Sequence, residues 1–151
     1  MSVEIIRTIN GDFKVPAGDQ SIICYIDDEA SGLKRWNETA LEEKLTATLF
    51  SKKDSLFLDI GSNMGYFSRV ASKHSSHVIA VEPSLKNYIL MLSNTADLNN
   101  IIPIRSLAGD RLCNYFLYAN TMNCADNRVF LDDFSYDVED VTMLTVESIL
   151  D

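Results

Sequence analysis

Two acids and two glycines in the middle of the chain have the residue types and the spacing to hold a small ligand. In the stretch SLFLDIGSNMGYFS, residues 55–68, an apolar run ends at Asp59, and Gly61 and Gly65 follow at once. Glycine lets a ligand approach the backbone closely, and the N–H groups at the start of a helix carry partial positive charge. Glu82 ends the next apolar run, 23 positions after Asp59. A carboxylate there can accept hydrogen bonds from both hydroxyls of a ribose, so the four residues predict a nucleoside site.

The spacing of the glycine turn argues against two common phosphate sites. The sequence DIGSNMG lacks the full G-x-G-x-x-G pattern of dinucleotide sites, and no GK[ST] of a P-loop is present. Two carboxylates would also repel a pyrophosphate, whereas they tolerate or favour a sulfonium and an ammonium group. The turn therefore favours a ligand with a nucleoside at one end and a cationic amino acid at the other.

Alternating strands and helices must position these residues. Three apolar runs predict buried strands, and their sequences are SLFLDI, HVIAVE and IIPIRS. The segment after the glycine turn places Phe67, Val70 and Ala71 on one face of a helix. The next helix begins after Ser84, a good N-cap residue, and its apolar positions predict a core-facing stripe of Leu85, Tyr88, Ile89, Leu92 and Ala96. This alternation predicts parallel βαβ units with both faces of the sheet covered.

Less regular segments flank this central part. Residues 1–35 contain the β-like runs Val3–Ile6 and Ser21–Ile26 and predict a small hairpin or cap. Residues 36–50 predict an amphipathic helix with Ala40, Leu41, Leu45, Thr48 and Leu49 near one face. After Gly109 two further strands are predicted, LCNYFLYAN and VTMLTV, on either side of an acidic, irregular segment. The final residues, ESILD, indicate the start of another helix.

At this point the chain resembles a known family. The blocks LFLDIGSNMGYFS, VIAVEPSLKNYILMLSN and IIPIRSLAGD look like the first three motifs of class I S-adenosylmethionine-dependent methyltransferases, most closely the FkbM type. The resemblance spans roughly residues 36–150. It is looser at MNCADNR, which is similar to an asparagine-rich family segment, and at VTMLTVESILD, which is similar to the region before the fourth core strand. The family usually has Ala in place of Ser62 and Ile in place of Met64.

The resemblance implies a fold and a set of cofactor contacts. The fold is an α/β, Rossmann-like class I methyltransferase fold, incomplete, with an appended β-hairpin. Residues 1–35 would form an N-terminal β or cap segment, and residues 36–151 a partial S-adenosylmethionine-binding domain. The implied cofactor residues are Asp59, Gly61 and Gly65 at the methionine end, Ser62 and Asn63 in the same turn, Phe67 behind it, Glu82 on the ribose, Pro83 and Ser84 at the adenine, and Ala108 in a loop over residues 106–110.

The implied function is the S-adenosylmethionine-binding part of a methyltransferase that acts on an oxygen, or less favourably a nitrogen, of a small molecule or sugar. The family's sheet continues beyond the three strands found here, so no residue is assigned to the acceptor or its proton. We expect a truncated gene product, or a chain that pairs with itself or with a complementary chain along the open edge of the first strand.

Two alternatives stay open. A degenerate methyltransferase fold could serve as a non-catalytic binding or oligomerisation module. A nicotinamide-type Rossmann domain is the third reading, and the absent third glycine counts against it.

Charge and cysteine content narrow the partners and the compartment. The formal net charge is −9, and residues 111–151 hold eight acids against two bases. Phosphate binding requires clustered Lys and Arg, so a nucleic-acid partner is disfavoured. The three cysteines, Cys24, Cys113 and Cys124, have no CxxC spacing, which fits a reducing compartment. With no signal-peptide pattern and no membrane-length apolar run, we expect a cytoplasmic protein without a membrane partner.

Other chemistry-bearing residues are discounted. His74 and His77 form an HxxH across an element boundary without a third ligand nearby. The acidic run of Asp132, Asp133, Asp137, Glu139 and Asp140 lacks the pattern of an EF-hand and is interpreted as a solvated loop. No histidine pairs with the cysteines, so neither a metal site nor a cysteine nucleophile is predicted.

Overall fold

A computed structural model of the chain describes residues 2–19, 26–28, 34–36, 39–52, 54–120, 126–129 and 136–151. The strands are β1 (Val3–Thr8), β2 (Gly11–Pro16), β3 (Ile26–Asp28), β4 (Lys34–Trp36), β5 (Leu56–Ile60), β6 (His77–Val81), β7 (Ile101–Ile104), β8 (Leu107–Gly109), β9 (Cys113–Asn120) and β10 (Tyr136–Thr145). The helices are α1 (Thr39–Phe50), α2 (Tyr66–Ser72), α3 (Leu85–Asn94) and α4 (Val146–Leu150).

The centre of the fold is a parallel sheet with strand order β5-β6-β7. Leu56 of β5 is paired with His77 of β6, and Val78 of β6 with Ile101 of β7. Four of the five residues of β6 are buried, as expected for the middle strand. Because parallel strands end at the same edge, the residues after β5, β6 and β7 lie together. The parallel βαβ prediction is confirmed.

Helix α2 follows the glycine turn directly. Val70 and Ala71 are buried as predicted, together with Tyr66 and Ser68. Phe67 is half-buried and packs against the cluster that contains Val70, with its ring edge-on to Tyr66 at a centroid distance of 5.5 Å. The packing of Tyr66 and Phe67 therefore holds the first turn of α2 in place.

The prediction of which face of α3 is buried is wrong. Leu85, Ile89 and Leu92 are 45%, 50% and 39% exposed, and Ala96, which lies beyond the end of the helix, is also exposed. Tyr88 is half-buried. The helix instead buries Asn87, Leu90, Met91 and Asn94. Burial of the two asparagines is tolerated because their Nδ2 groups donate hydrogen bonds, which a count of apolar residues does not register.

Helix α1 begins at Thr39, three residues later than predicted, and its predicted face is also largely wrong. Leu49 is buried and Leu45 half-buried, but Ala40, Leu41 and Thr48 are exposed. Glu42 is buried in their place and accepts hydrogen bonds from the side chains of Asn10, at 3.0 Å, and Tyr66, at 3.1 Å. This polar cluster joins α1 to the N-terminal strands.

The N-terminal segment contains a hairpin, but its second strand, β2, is not one of the two predicted runs. β1 and β2 are antiparallel, and the sheet has the order β2-β1-β4-β3. Phe13 and Val15 of β2 are buried with Met64, Tyr66 and Leu90, so the hairpin shares a core with α2 and α3. Most of the predicted run Ser21–Ile26 lies outside the described residues. The division into segments 1–35 and 36–151 stays a prediction, and β4 crosses its boundary.

A third sheet, with order β8-β10-β9, covers the end of the parallel one. β9 and β10 are antiparallel, whereas β8 is parallel to β10. β10 begins at Tyr136, inside the segment that was expected to be an irregular loop, because Tyr136 to Met143 pair continuously with β9. Val146, expected in a strand, begins α4, where the Thr145 hydroxyl accepts a hydrogen bond from the Ser148 N–H. Over the described ranges, no helix is long and apolar enough to cross a bilayer.

Candidate functional site

The glycine turn is fixed by hydrogen bonds to its own fold. The N–H groups of Gly61 and Ser62 both donate to the Val81 carbonyl oxygen, at 2.9 and 3.0 Å. The N–H of Gly65 donates to the carbonyl oxygen of Ser62 at 2.8 Å. These N–H groups therefore hold β5, the turn and β6 together. The N–H groups of Gly61, Ser62 and Gly65 are thus used within the fold.

Gly61 and Gly65 are required for different reasons. Both have positive φ, 78° and 86°, which disfavours any residue with a side chain. A Cβ at Gly65 would lie 3.1 Å from Met91 Cγ and 3.2 Å from Thr95 Cγ2, whereas a Cβ at Gly61 would meet no atom within 4 Å. Gly65 thus allows α3 to pack closely, and Gly61 leaves open space at the carboxyl end of β5.

Asp59 is oriented by α2. Its Oδ2 accepts a hydrogen bond from the Ser68 hydroxyl at 2.5 Å. Burial raises the pKa of the Asp59 carboxyl, and bonds from the Ser68 hydroxyl and N–H oppose that rise. Asp59 is therefore held toward the first turn of α2, beside the open space at Gly61.

Glu82 joins the two halves of the candidate site. Its Oε2 accepts from the Asn63 N–H at 2.9 Å, and its Oε1 accepts from the Ser84 N–H at 3.0 Å and from Asn87 Nδ2 at 3.4 Å. The side chain is buried, with only 3% of the residue exposed. A carboxylate offers about four acceptor positions, so three bonds leave capacity for a ligand hydroxyl.

Burial raises the pKa of Glu82 to about 7. The bonds from Ser84, Asn63 and Asn87 oppose this rise, and the nearby charge of Glu139 adds to it. Near neutral pH the carboxyl is consequently divided between its protonated and ionised forms. A ligand that donates hydrogen bonds to Glu82 would favour the ionised form.

The remaining predicted residues occupy varied places. The Ser62 hydroxyl donates to Met91 Sδ at 2.9 Å, which turns it toward α3. Pro83 is half-buried, and Ser84 is buried at the N-cap of α3. Ala108 does not lie in a loop: it belongs to β8, is paired with Leu144, and packs against the cluster of Ile79, Val81 and Ile149. The structure thus brings Asn63, Glu82 and Ser84 into contact and places Ala108 on the neighbouring sheet.

A cavity of about 470 Å³ lies between the start of α3 and the β9–β10 hairpin. Leu85, Ile89 and Ala119 contribute apolar surface, and Glu139 lies in its wall. Ser84 and Asn87, which bond to Glu82, also line it. Asp59, Gly61, Asn63 and Glu82 do not line the cavity, so it is connected with the predicted ribose site only through Ser84 and Asn87.

Sequence reasoning missed Ser68, Asn87, Arg105 and Glu139. Ser68 and Asn87 lie in helices whose patterns reveal only their apolar faces. Glu139 was assigned to a solvated loop, and that interpretation is wrong. It lies in β10 and its Oε2 accepts from the Leu85 N–H at 2.7 Å and from Arg105 at 2.8 Å. The exposed Asp137 and Asp140 flank it on the same strand, and Asp132 and Asp133 lie outside the described residues.

In the described part of the chain, no group of three His, Cys, Asp or Glu side chains could hold a metal ion. His74 packs edge-on against Phe50, at a ring-centroid distance of 6.3 Å. Cys24 and Cys124 fall outside the described ranges.

The residues present fit a nucleoside ligand with an amino-acid end. Gly61 leaves unfilled space where a side chain would intrude, and Glu82 is a buried acid with remaining acceptor capacity.

No protein-family model matches this chain, and no curated protein matches it. One similar solved structure is M. jannaschii TYW2 in complex with AdoMet, at 19% identity and a TM-score of 0.48, covering 68% of this chain and 42% of that one. Another is a SAM-dependent methyltransferase from Agrobacterium tumefaciens, at 13% identity and a TM-score of 0.50, covering 71% of this chain and 33% of that one. The chain thus spans less than half of either. The similarity to the second structure confirms that this chain has the α/β fold of a methyltransferase, and the partial coverage fits an incomplete form of that fold.

Proposed function

We propose that the chain binds S-adenosylmethionine where β5, β6 and β7 end, and that it is the cofactor-binding part of a methyltransferase. The observation that carries this proposal is the bond between the Asn63 N–H and Glu82, which brings the glycine turn and the ribose-type acid together. When bound, the cofactor supplies an electrophilic methyl group on a sulfonium sulfur. The fold shared with a SAM-dependent methyltransferase supports the same assignment.

Each part of the site has a separate task in this proposal. Glu82 accepts a hydrogen bond from a ribose hydroxyl at its remaining acceptor position, and Pro83 and Ser84 lie at the adenine. Asp59 and Gly61 line the methionine end, where the missing Cβ of Gly61 leaves room for the ligand. The carboxylates also complement the positive sulfonium and ammonium groups, whereas they would repel a pyrophosphate.

The acceptor is proposed to be an oxygen of a small molecule or sugar. This narrower assignment rests on the resemblance of the DIGSNMG and VEPS blocks to FkbM-type enzymes. The acidic composition disfavours a nucleic-acid acceptor and, with the cysteine pattern, supports a cytoplasmic location.

Isothermal titration calorimetry with S-adenosylhomocysteine tests the cofactor assignment. We expect the wild-type chain to bind it, and Glu82→Gln to weaken binding by about tenfold or more, the effect of losing one charged hydrogen-bond acceptor. Asp140→Asn is the matched control, because it removes an exposed carboxylate from the hairpin. A folded wild-type chain that binds NAD and not S-adenosylhomocysteine would overturn the proposal.

A second candidate is a non-catalytic module that associates through the outer edge of β5. Within the described ranges β5 is paired with β6 alone, and its terminal residues Leu56 and Ile60 are exposed. An unpaired strand edge is a template for association with another strand. Sedimentation velocity of the wild type and a Leu56→Lys variant tests this, and a monomer that transfers methyl groups by itself would exclude it.

A further inference from the structure

Glu139 reaches from β10 to the N-terminus of α3. Its Oε2 accepts a hydrogen bond from the Leu85 N–H at 2.7 Å and another from an Arg105 nitrogen at 2.8 Å. The side chain is only 19% exposed, and that of Arg105 is 31% exposed. A partly buried charged pair with two bonds on one oxygen restricts the position of both side chains. The hairpin is thereby attached to α3 at one defined point.

The same turn of α3 also holds Glu82. Ser84 is the residue common to both acids: its N–H donates to Glu82 Oε1 at 3.0 Å, and its hydroxyl donates to Glu139 Oε1 at 3.5 Å. Leu85, bonded to Glu139, is the next residue along the chain. Movement of Glu139 would therefore move the donors that orient Glu82.

We propose that Glu139 is a positioning residue for the cofactor site, acting through Ser84 and Leu85 to fix the orientation of Glu82. The proposal rests on the proposed function for the identity of the ligand. It assigns no contact between Glu139 and the cofactor. Its role is to couple the β9–β10 hairpin to the acid that would bind the ribose.

The electrostatics agree with this geometry. The elements around Glu82 carry charged groups of both signs, which are Asp59 on β5, Lys86 on α3, Arg105 after β7, and Asp137, Glu139 and Asp140 on β10. Of these, Glu139 is the group whose charge raises the pKa of Glu82. Removing that charge should lower the pKa of Glu82 while leaving its burial unchanged.

Glu139→Gln is the informative variant, because glutamine keeps the shape and an acceptor oxygen but loses the charge. We expect the carboxyl carbon of Glu82, followed by NMR in the ligand-free protein, to titrate at lower pH in Glu139→Gln than in the wild type. The control Asp140→Asn, on the adjacent position of β10, should leave that titration unchanged. Equal midpoints in the wild type and Glu139→Gln would overturn the proposal.

Affinity for S-adenosylhomocysteine provides the second measurement. Glu139→Ala removes the bonds to Leu85 and Arg105, and we expect binding to weaken by about tenfold in protein that is still folded by circular dichroism. Unchanged affinity in Glu139→Ala would overturn the positioning role. If the wild type binds no S-adenosylhomocysteine, the proposed function fails, and the Glu82 titration still decides the positioning role by itself.

Discussion

The backbone N–H of Asn63 donates to Oε2 of Glu82 at 2.9 Å, and this bond joins the glycine turn to the end of the neighbouring strand. Asn63 has a φ of 52°, in the left-handed region. The bond therefore depends on a backbone conformation that few residue types adopt readily.

Substitutions at Asn63 should distinguish the effect of its backbone conformation from the effect of its side chain. Asn63→Gly keeps the N–H and tolerates positive φ, so we expect affinity for S-adenosylhomocysteine to stay close to wild type. Asn63→Val should lower the free energy of unfolding by about 1–2 kcal/mol, because a β-branched residue disfavours this region. Urea unfolding and calorimetry measure the two effects. Equal behaviour of both variants would show that φ at this position is not limiting.

The pKa of Glu82 predicts a pH dependence of stability. In the folded state the pKa of Glu82 is raised from its ordinary value of 4.5 to about 7, so the carboxyl stays protonated to a higher pH than in the unfolded chain. This group therefore stabilises the fold fully below pH 4.5, and the stabilisation is lost as the pH rises toward 7. The full change is about 3 kcal/mol. Urea unfolding at several pH values should show wild-type stability falling relative to Glu82→Gln across this window, and parallel curves would contradict the prediction.

The same titration predicts the pH dependence of binding. Ribose hydroxyls donate hydrogen bonds, so they favour ionised Glu82, and ligand binding should release a proton below about pH 7. Affinity for S-adenosylhomocysteine should rise with pH up to about 7 and then level off. Calorimetry in two buffers of different ionisation enthalpy measures the released proton directly. The Glu82→Gln variant should release none.

Three of the four glycines with positive φ in the described part of the chain, Gly18, Gly61 and Gly65, allow a comparison of backbone strain and side-chain packing. Alanine at any of them should cost about 1–2 kcal/mol of backbone strain. Gly65→Ala should lower the melting temperature furthest, because its Cβ would also press on Met91 and Thr95. Gly61 and Gly18 share a φ of 78° and have open space, so their variants should lose similar stability. Only Gly61→Ala should weaken binding of S-adenosylhomocysteine, and weakening by Gly18→Ala as well would contradict the site.

Asn94 is expected to be a large contributor to stability. Its Oδ1 accepts from the Lys14 N–H at 2.7 Å, and its Nδ2 donates to the carbonyl oxygens of Lys14 and Met64, both at 3.0 Å. Asn94→Ala would leave buried backbone groups without these partners, at a cost of about 3 kcal/mol. Ser93→Ala is the control, because it loses only an exposed bond from Lys14. Similar unfolding midpoints for the two variants would refute the prediction.

The sequence sufficed for the parts of the fold that depend on local pattern. Continuous apolar runs located β5, β6 and β7, and the position of Glu82 after β6 placed it beside the turn. The pattern failed at α3, where Leu85, Ile89 and Leu92 are exposed and Asn87 and Asn94 are buried. Burial of those asparagines depends on partners distant in sequence, such as Lys14 and Met64. No local periodicity contains that information.

Prediction of the candidate site from the sequence was limited in the same way. Asp59, Gly61 and Glu82 could be proposed for the site because residue type and strand position indicate the chemistry that they could perform. Glu139 was not, because an acidic segment has the same composition whether it is solvated or paired. Only the pairing of β10 with β9 turns its side chain toward Leu85 and Arg105.

The two hydrogen bonds at the Val81 carbonyl also have a consequence for binding kinetics. Because Gly61 and Ser62 are already tied to Val81, the conformational entropy of ordering the turn is lost during folding and not when a ligand arrives. The turn is therefore preorganised for a ligand, and association requires no closing movement of the turn. Side chains that contact the ligand, such as Glu82, would then determine the dissociation rate and thus the residence time.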